Sequence, residues 1–166
     1  MEPCAGDGAL IRACTRLRDD ITWSAAELRP ACQRDLTTAI GDPDRLYIGD
    51  LLSAGDWISG QAPDVIITNP PFRIAREILD FCLGRQATVV MLLRLNFLAS
   101  AARAALMRQH PPDVYVLPNR PSFLSGGKTD SVEYAWFVWP DGGISRPAGR
   151  LHVLAPTPLH ERRQKT

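Results

Sequence analysis

The chain has 166 residues, 45% of them hydrophobic, and a formal charge of +1. That suits one compact α/β domain and supplies no global field to draw it to nucleic acid or an anionic membrane, so a polyanion would have to be met by a local patch. Four cysteines (Cys4, Cys14, Cys32, Cys82) form no CxxC pair, the histidines have no zinc spacing, and neither a membrane-length apolar run nor a signal-peptide pattern is present, so a soluble cytoplasmic protein with reduced thiols, no metal and no membrane contact is expected.

The first feature in chain order is Glu2-Pro3-Cys4-Ala5-Gly6-Asp7-Gly8, with two glycines at alternate positions just before a helical run over residues 8–18. Glycine there lets backbone approach a ligand without an intervening Cβ. A dinucleotide fingerprint needs a third glycine where Ile11 stands, so a smaller adenosine cofactor is favoured over NAD. Only Met1 to Ala5 precede this turn, which makes the first strand stunted or absent. A strand over Ile21–Ala25 and a helix over Leu28–Ile40 follow, with Glu27 between them. Its carboxylate can accept ribose hydroxyls at a strand end or simply favour a helix first turn. The next strand, Arg45–Gly49, leads to Asp50 and Leu51. Asp50 is placed either to accept from an exocyclic amine or to cap a helix.

The strand Val65–Thr68 runs directly into Asn69-Pro70-Pro71-Phe72. Two successive prolines fix φ and donate no N–H, so the turn is stiff. It can hold one planar nitrogen between the Asn69 amide, the Pro70 carbonyl and the Phe72 face, or it can be an ordinary strand-ending turn. Apolar spacing predicts a helix over Ile74–Leu83, then a strand over Thr88–Leu93, a helix over Ser100–Gln109, and strands over Val114–Leu117 and Val132–Trp139. No convincing helix separates the last two, so they form an antiparallel pair at one sheet edge. Leu151–Leu154 adds a short extended piece whose flanking prolines exclude a central position. The whole is a Rossmann-like, doubly wound α/β sheet, mostly parallel with an antiparallel edge hairpin and a truncated first strand, over residues 1–159 with a basic tail at 160–166. Of the aromatics near the end, Tyr134, Trp136, Phe137 and Trp139 are expected in the core.

The Glu2–Gly8 turn, the strand-end acids Glu27 and Asp50, and the Asn69–Phe72 turn, in this order, resemble the class I S-adenosylmethionine-dependent methyltransferases that modify exocyclic amines. Residues 119–123 and 128–139 are similar to the late strands of small phage and prophage DNA adenine methyltransferases. The resemblance implies that Glu2, Pro3, Cys4, Ala5, Gly6 and Gly8 bind the methionine part of S-adenosylmethionine. It also implies that Glu27, Asp50 and Leu51 hold its ribose and adenine, with Asn69 touching both cofactor and acceptor. Asn69, Pro70, Pro71 and Phe72 become the catalytic acceptor site for adenine N6, in DNA before RNA, with Phe72 stacking on the base. Arg120 and Lys128, flanking a Ser-Gly-Gly loop, are the preferred nucleic-acid contacts, whereas Arg73 and Arg94 read better as surface charge. Family members carry a full first strand and often a target-recognition region. This chain has room for neither, so sequence selectivity should be weak or supplied by a partner, and a homo-oligomer or partner chain can complete the N-terminal region. Protein glutamine methylation and a non-catalytic scaffold role are the competing readings.

Overall fold

The computed structural model describes residues 1–119, 121, 132–140 and 149–158. Two parallel strands, β1 (Ala25–Glu27) and β2 (Leu46–Ile48), form one sheet. Five more form a second sheet in the order β3-β4-β6-β5-β7: β3 (Val65–Thr68), β4 (Thr88–Arg94), β6 (Tyr134–Trp139), β5 (Asp113–Val116) and β7 (Leu151–Val153). Strand β6 runs antiparallel to both β4 and β5, and the remaining pairs are parallel. Among the described residues the α-helices are α1 (Ala9–Leu17), which precedes β1, and α2 (Gln33–Ile40), α3 (Gly55–Ser59), α4 (Ala75–Leu83) and α5 (Ala104–Gln109), which lie between strands.

Met1 and Glu2 lie in the slot between the two sheets. On one side the Glu2 N–H donates to Ser24 O at 2.9 Å and Ala26 N–H donates to Glu2 O at 3.0 Å; on the other, the Met1 amine donates to Val65 O at 2.8 Å and Ile67 N–H donates to Met1 O at 2.9 Å. Two residues therefore do the hydrogen-bonding work of a central strand, which answers the cost of leaving two ladder edges open.

Helix α4 illustrates why these elements pack as they do. Ala75, Ile78, Leu79, Cys82 and Leu83 recur at helical spacing and are all buried, while Arg76 and Asp80 pair at 2.7 Å on the outer face. The buried face sits in one apolar cluster with Val89, Met91 and Leu93 of β4 and Phe137 and Trp139 of β6. A second cluster joins Ile11 of α1, Leu36 of α2, Trp23 and Ala25. Tyr134, Phe137 and Trp139 are fully buried, as expected of them, and Trp136 is half-buried.

Several sequence expectations shift. The strand expected over Ile21–Ala25 begins at Ala25, so Glu27 is its last residue, and the helix expected from Leu28 opens as a 3-10 turn, Pro30–Cys32, because Pro30 accepts only a helix's first turn. The helix expected over Ser100–Gln109 likewise opens with a 3-10 turn, Ala101–Arg103. Antiparallel β5 and β6 are not an edge pair: β6 is interior, and β7 forms the rim beyond β5. Short α3 had no signal of its own. No helix among the described residues is long and apolar enough to cross a membrane.

Candidate functional site

A cavity of about 850 Å³ opens at the carboxyl ends of β1, β2 and β3. Its walls include the Glu2–Asp7 turn, Glu27–Arg29, Gly49–Leu51 and Asn69–Phe72, with Ala9 and Leu10 of α1, Cys32, Ile74 and Ile78 completing the lining. Ligands of open α/β sheets bind at such carboxyl edges, because there the chain leaves each strand in a loop and helix N-termini face outward.

The glycine turn works through backbone conformation. Gly6 has φ 59° and Gly8 φ 82°, both left-handed, so each is a position where an L side chain is strained. Gly6 lines the cavity. Gly8 does not: it is the residue from which α1 starts, and a Cβ there would come within 3.1 Å of Leu36. Its role in the structure is close packing of α1 on α2.

Glu2 is 3% exposed, and one of its carboxylate oxygens, Oε2, has no hydrogen-bond partner among the described residues. Burial pushes its pKa up to about 8 from 4.5, with Asp7 and Glu27 adding to the rise and the Met1 ammonium and the Ile11 N–H opposing it. Glu27, also buried, accepts from the Gly6 N–H at 2.7 Å on one oxygen. Its other oxygen accepts from the Arg29 N–H at 3.1 Å and Arg29 Nε at 2.7 Å. Asp50 caps a 3-10 turn, Leu51–Ser53, by accepting from the Leu52 N–H at 3.0 Å, and it stays exposed at the cavity wall. Burial pushes the Cys4 thiol up to about 12, so it lines the wall as a neutral group.

Across the cavity, the rigid turn ends in a 3-10 segment, Phe72–Ile74, that leads into α4, with Ile74 N–H donating to Pro71 O at 3.0 Å. Pro70 is buried. The Asn69 side-chain oxygen is buried and has no hydrogen-bond partner among the described residues. A buried, unsatisfied amide oxygen costs about 1–3 kcal/mol, a cost that a donor arriving in the cavity would remove. Phe72 lines the cavity, with the Tyr134 ring 5.6 Å away at 42° and the Arg94 guanidinium 4.6 Å from its centroid.

No family model matches the chain, and no curated protein matches it. Solved structures do. A precorrin-6y C5,15-methyltransferase from Geobacter metallireducens superposes with a TM-score of 0.56 at 15% identity, over 83% of this chain and 77% of that one. A protein of Listeria monocytogenes described as a class I S-adenosylmethionine-dependent methyltransferase gives 0.60 at 12% identity, over 92% of this chain and 57% of that one. A 23S rRNA methyltransferase gives 0.58 at 19% identity, over 89% and 61%. The chain has the class I methyltransferase fold.

In this fold the predicted residues Glu2 to Gly6, Glu27, Asp50, Leu51 and Asn69 to Phe72 meet around one cavity, although they come from four separate stretches of the chain. Gly8 stands behind the wall. Arg120 and Lys128 lie outside the described residues, and Arg73 is exposed. Sequence reasoning missed Leu28 and Arg29. Leu28 is an exposed apolar side chain at the cavity wall, directly after the strand-end acid, and its position was hidden by the expectation of a helix starting there. Arg29 is visible only once β1 is seen to end at Glu27.

Proposed function

We propose that the chain transfers a methyl group from S-adenosylmethionine to an exocyclic amine, with adenine N6 in DNA as the favoured acceptor. The observation that carries this reading is the buried oxygen of Asn69, without a partner among the described residues, in a turn that lines one cavity together with Phe72 and the glycine turn. The cavity fits the cofactor in chemistry as well as size. Glu2 offers a buried carboxyl oxygen without a partner among the described residues, suited to the cofactor's ammonium, and Gly6 keeps a backbone wall free of a Cβ. Glu27 and Asp50 stand where ribose and adenine would be held, Glu27 exchanging part of its Arg29 pairing for hydroxyl groups.

When bound, the cofactor supplies an electrophilic methyl group. The chain's own residues prepare the acceptor. An exocyclic amine on an aromatic ring is a poor nucleophile because its lone pair is delocalised. The Asn69 oxygen and the Pro70 carbonyl each accept one N–H, which draws the amine toward tetrahedral geometry and localises that pair. Phe72 stacks on the base, a contact worth roughly 1–3 kcal/mol, and offsets part of the cost of taking it out of a helix. The prolines keep these groups in place before the substrate arrives, so little ordering entropy is lost. The solved structures of this fold include a methyltransferase of 23S rRNA, which favours a nucleic acid over a protein amide as acceptor.

Incubation with radiolabelled S-adenosylmethionine and DNA, RNA or protein, followed by nucleoside analysis, tests the proposal. Label in N6-methyladenine of DNA is expected; label confined to protein refutes it. Asn69→Ala should abolish transfer while cofactor binding stays within a few-fold of the parent.

A further inference from the structure

We propose that Arg29 occupies, in the free protein, a hydroxyl site on Glu27 that a bound ribose needs, and so sets how strongly the donor half of the cavity selects a ribonucleoside over its 2′-deoxy counterpart. The inference rests on the reading of Glu27 as the ribose-holding acid. Arg29 lines the cavity just beyond the end of β1, and its side chain is 64% exposed against 8% for Glu27. Its Nε donates to Glu27 Oε1 at 2.7 Å, and its Nη2 stands 3.4 Å from the point where a Gly6 side chain would begin. The guanidinium thus lies beside the glycine turn, at the wall the cofactor has to approach.

A count of acceptor sites decides what this contact does. A carboxylate offers about four lone-pair sites, two on each oxygen. Among the described residues, Oε1 of Glu27 accepts from the Arg29 backbone N–H at 3.1 Å and from Arg29 Nε, and Oε2 accepts from the Gly6 N–H at 2.7 Å. That leaves room for a single further donor, on Oε2. A ribose presents two adjacent hydroxyls, so pairing both with Glu27 displaces one of the donors already there. Two of those are backbone groups, held by the glycine turn and the strand end. The third, Arg29 Nε, is carried on a long, exposed side chain that can turn into water with its charge solvated. A 2′-deoxyribose has one of the two hydroxyls, fills the remaining site and leaves Arg29 in place. The arginine therefore weakens binding of the two-hydroxyl ligand alone, and the parent discriminates less sharply for ribose than Glu27 would by itself.

Calorimetric titration of the full chain with S-adenosylhomocysteine and with its 2′-deoxy analogue tests this without requiring methyl transfer. Arg29→Met, which keeps the stem but not the donor, should bind S-adenosylhomocysteine about fivefold more tightly than the parent, the scale of one partly exposed ion pair. That gain should shrink as added salt weakens the Arg29–Glu27 pair in the parent. Affinity for the 2′-deoxy analogue should stay within about twofold of the parent's, since no donor is displaced. Arg29→Ala should behave as Arg29→Met does, which separates the lost donor from any packing of the stem. Unchanged or weaker binding of S-adenosylhomocysteine in both variants overturns the role of Arg29 and leaves the donor-site reading intact. An equal gain for the two ligands does the same, because the arginine then only fills space. If neither ligand binds the parent or either variant, the donor-site reading itself is overturned, and the inference with it.

Discussion

Replacing Glu2 with glutamine should stabilise the free protein, and by an amount that grows with pH. Burial raises the Glu2 pKa from 4.5 to about 8 in the folded chain. The folded state therefore favours the protonated form. Below pH 4.5 both states hold the proton and the group costs nothing. As pH rises, the unfolded chain releases its proton first, and stability is lost until the folded carboxyl also ionises near pH 8. Linkage puts the loss at about 2 kcal/mol by pH 6 and about 4 kcal/mol by pH 8, as order-of-magnitude values. Met1 works in the opposite sense. Burial lowers its ammonium pKa from 8.0 to about 6, so its contribution is complete above pH 8 and is lost as pH falls toward 6. Between pH 4.5 and 6 Glu2 acts almost alone. Thermal unfolding followed by tryptophan fluorescence should show Glu2→Gln melting roughly 4–8 °C above the parent at pH 6, with no difference at pH 4. A constant difference across that range would refute the buried, uncompensated carboxyl. Under the proposed function, S-adenosylmethionine should also bind the parent more tightly as pH rises from 6 to 8, since its ammonium meets the ionised form.

Other substitutions separate packing from site chemistry. Gly6→Ala forces a side chain into left-handed backbone, costing roughly 1–2 kcal/mol, and sets its Cβ 3.4 Å from Arg29; chemical denaturation should register the loss, and calorimetry a weaker cofactor affinity. Asp50→Asn keeps an oxygen for the Leu52 N–H and should preserve stability, whereas Asp50→Ala should lose about 1 kcal/mol in denaturation. A drop in cofactor affinity common to both Asp50 variants would assign its charge to binding. Leu79→Ala, in the buried face of α4, should cost about 2–5 kcal/mol in urea unfolding without altering the cavity's chemistry.

Long-period patterns made the sheet legible from sequence. Helix α4 and strands β3 and β4 lie almost where apolar spacing puts them, because each buries a full face against a neighbour and cannot shift without exposing it. Three-residue strands carry no such periodicity. Strand β1 is misplaced by four residues at its start for that reason, and its register is fixed instead by pairing with Glu2 and β2. The β5–β6 pair is expected at a sheet edge because the interior place of β6 depends on pairing with β4, far back along the chain, yet Tyr134 on one face and Ala135, Phe137 and Trp139 on the other are all buried, a sign of cover on both faces. At the site, glycine turns and proline turns announce themselves by residue type. What an acid's carboxylate already holds does not, so neither the Arg29 grip on Glu27 nor the Arg94 contact with Phe72 could be read from letters alone.

The two-residue slot between the sheets has a mechanical consequence. The cavity wall with Glu27 and Asp50 belongs to the β1–β2 side, and the wall with Asn69 and Phe72 belongs to the β3–β7 side. Four backbone hydrogen bonds through Met1 and Glu2 set the distance between them. The width of the cavity is thus set by backbone pairing at a two-residue seam, and the exchange rates of the Glu2, Ala26 and Ile67 amides gauge how often that seam opens.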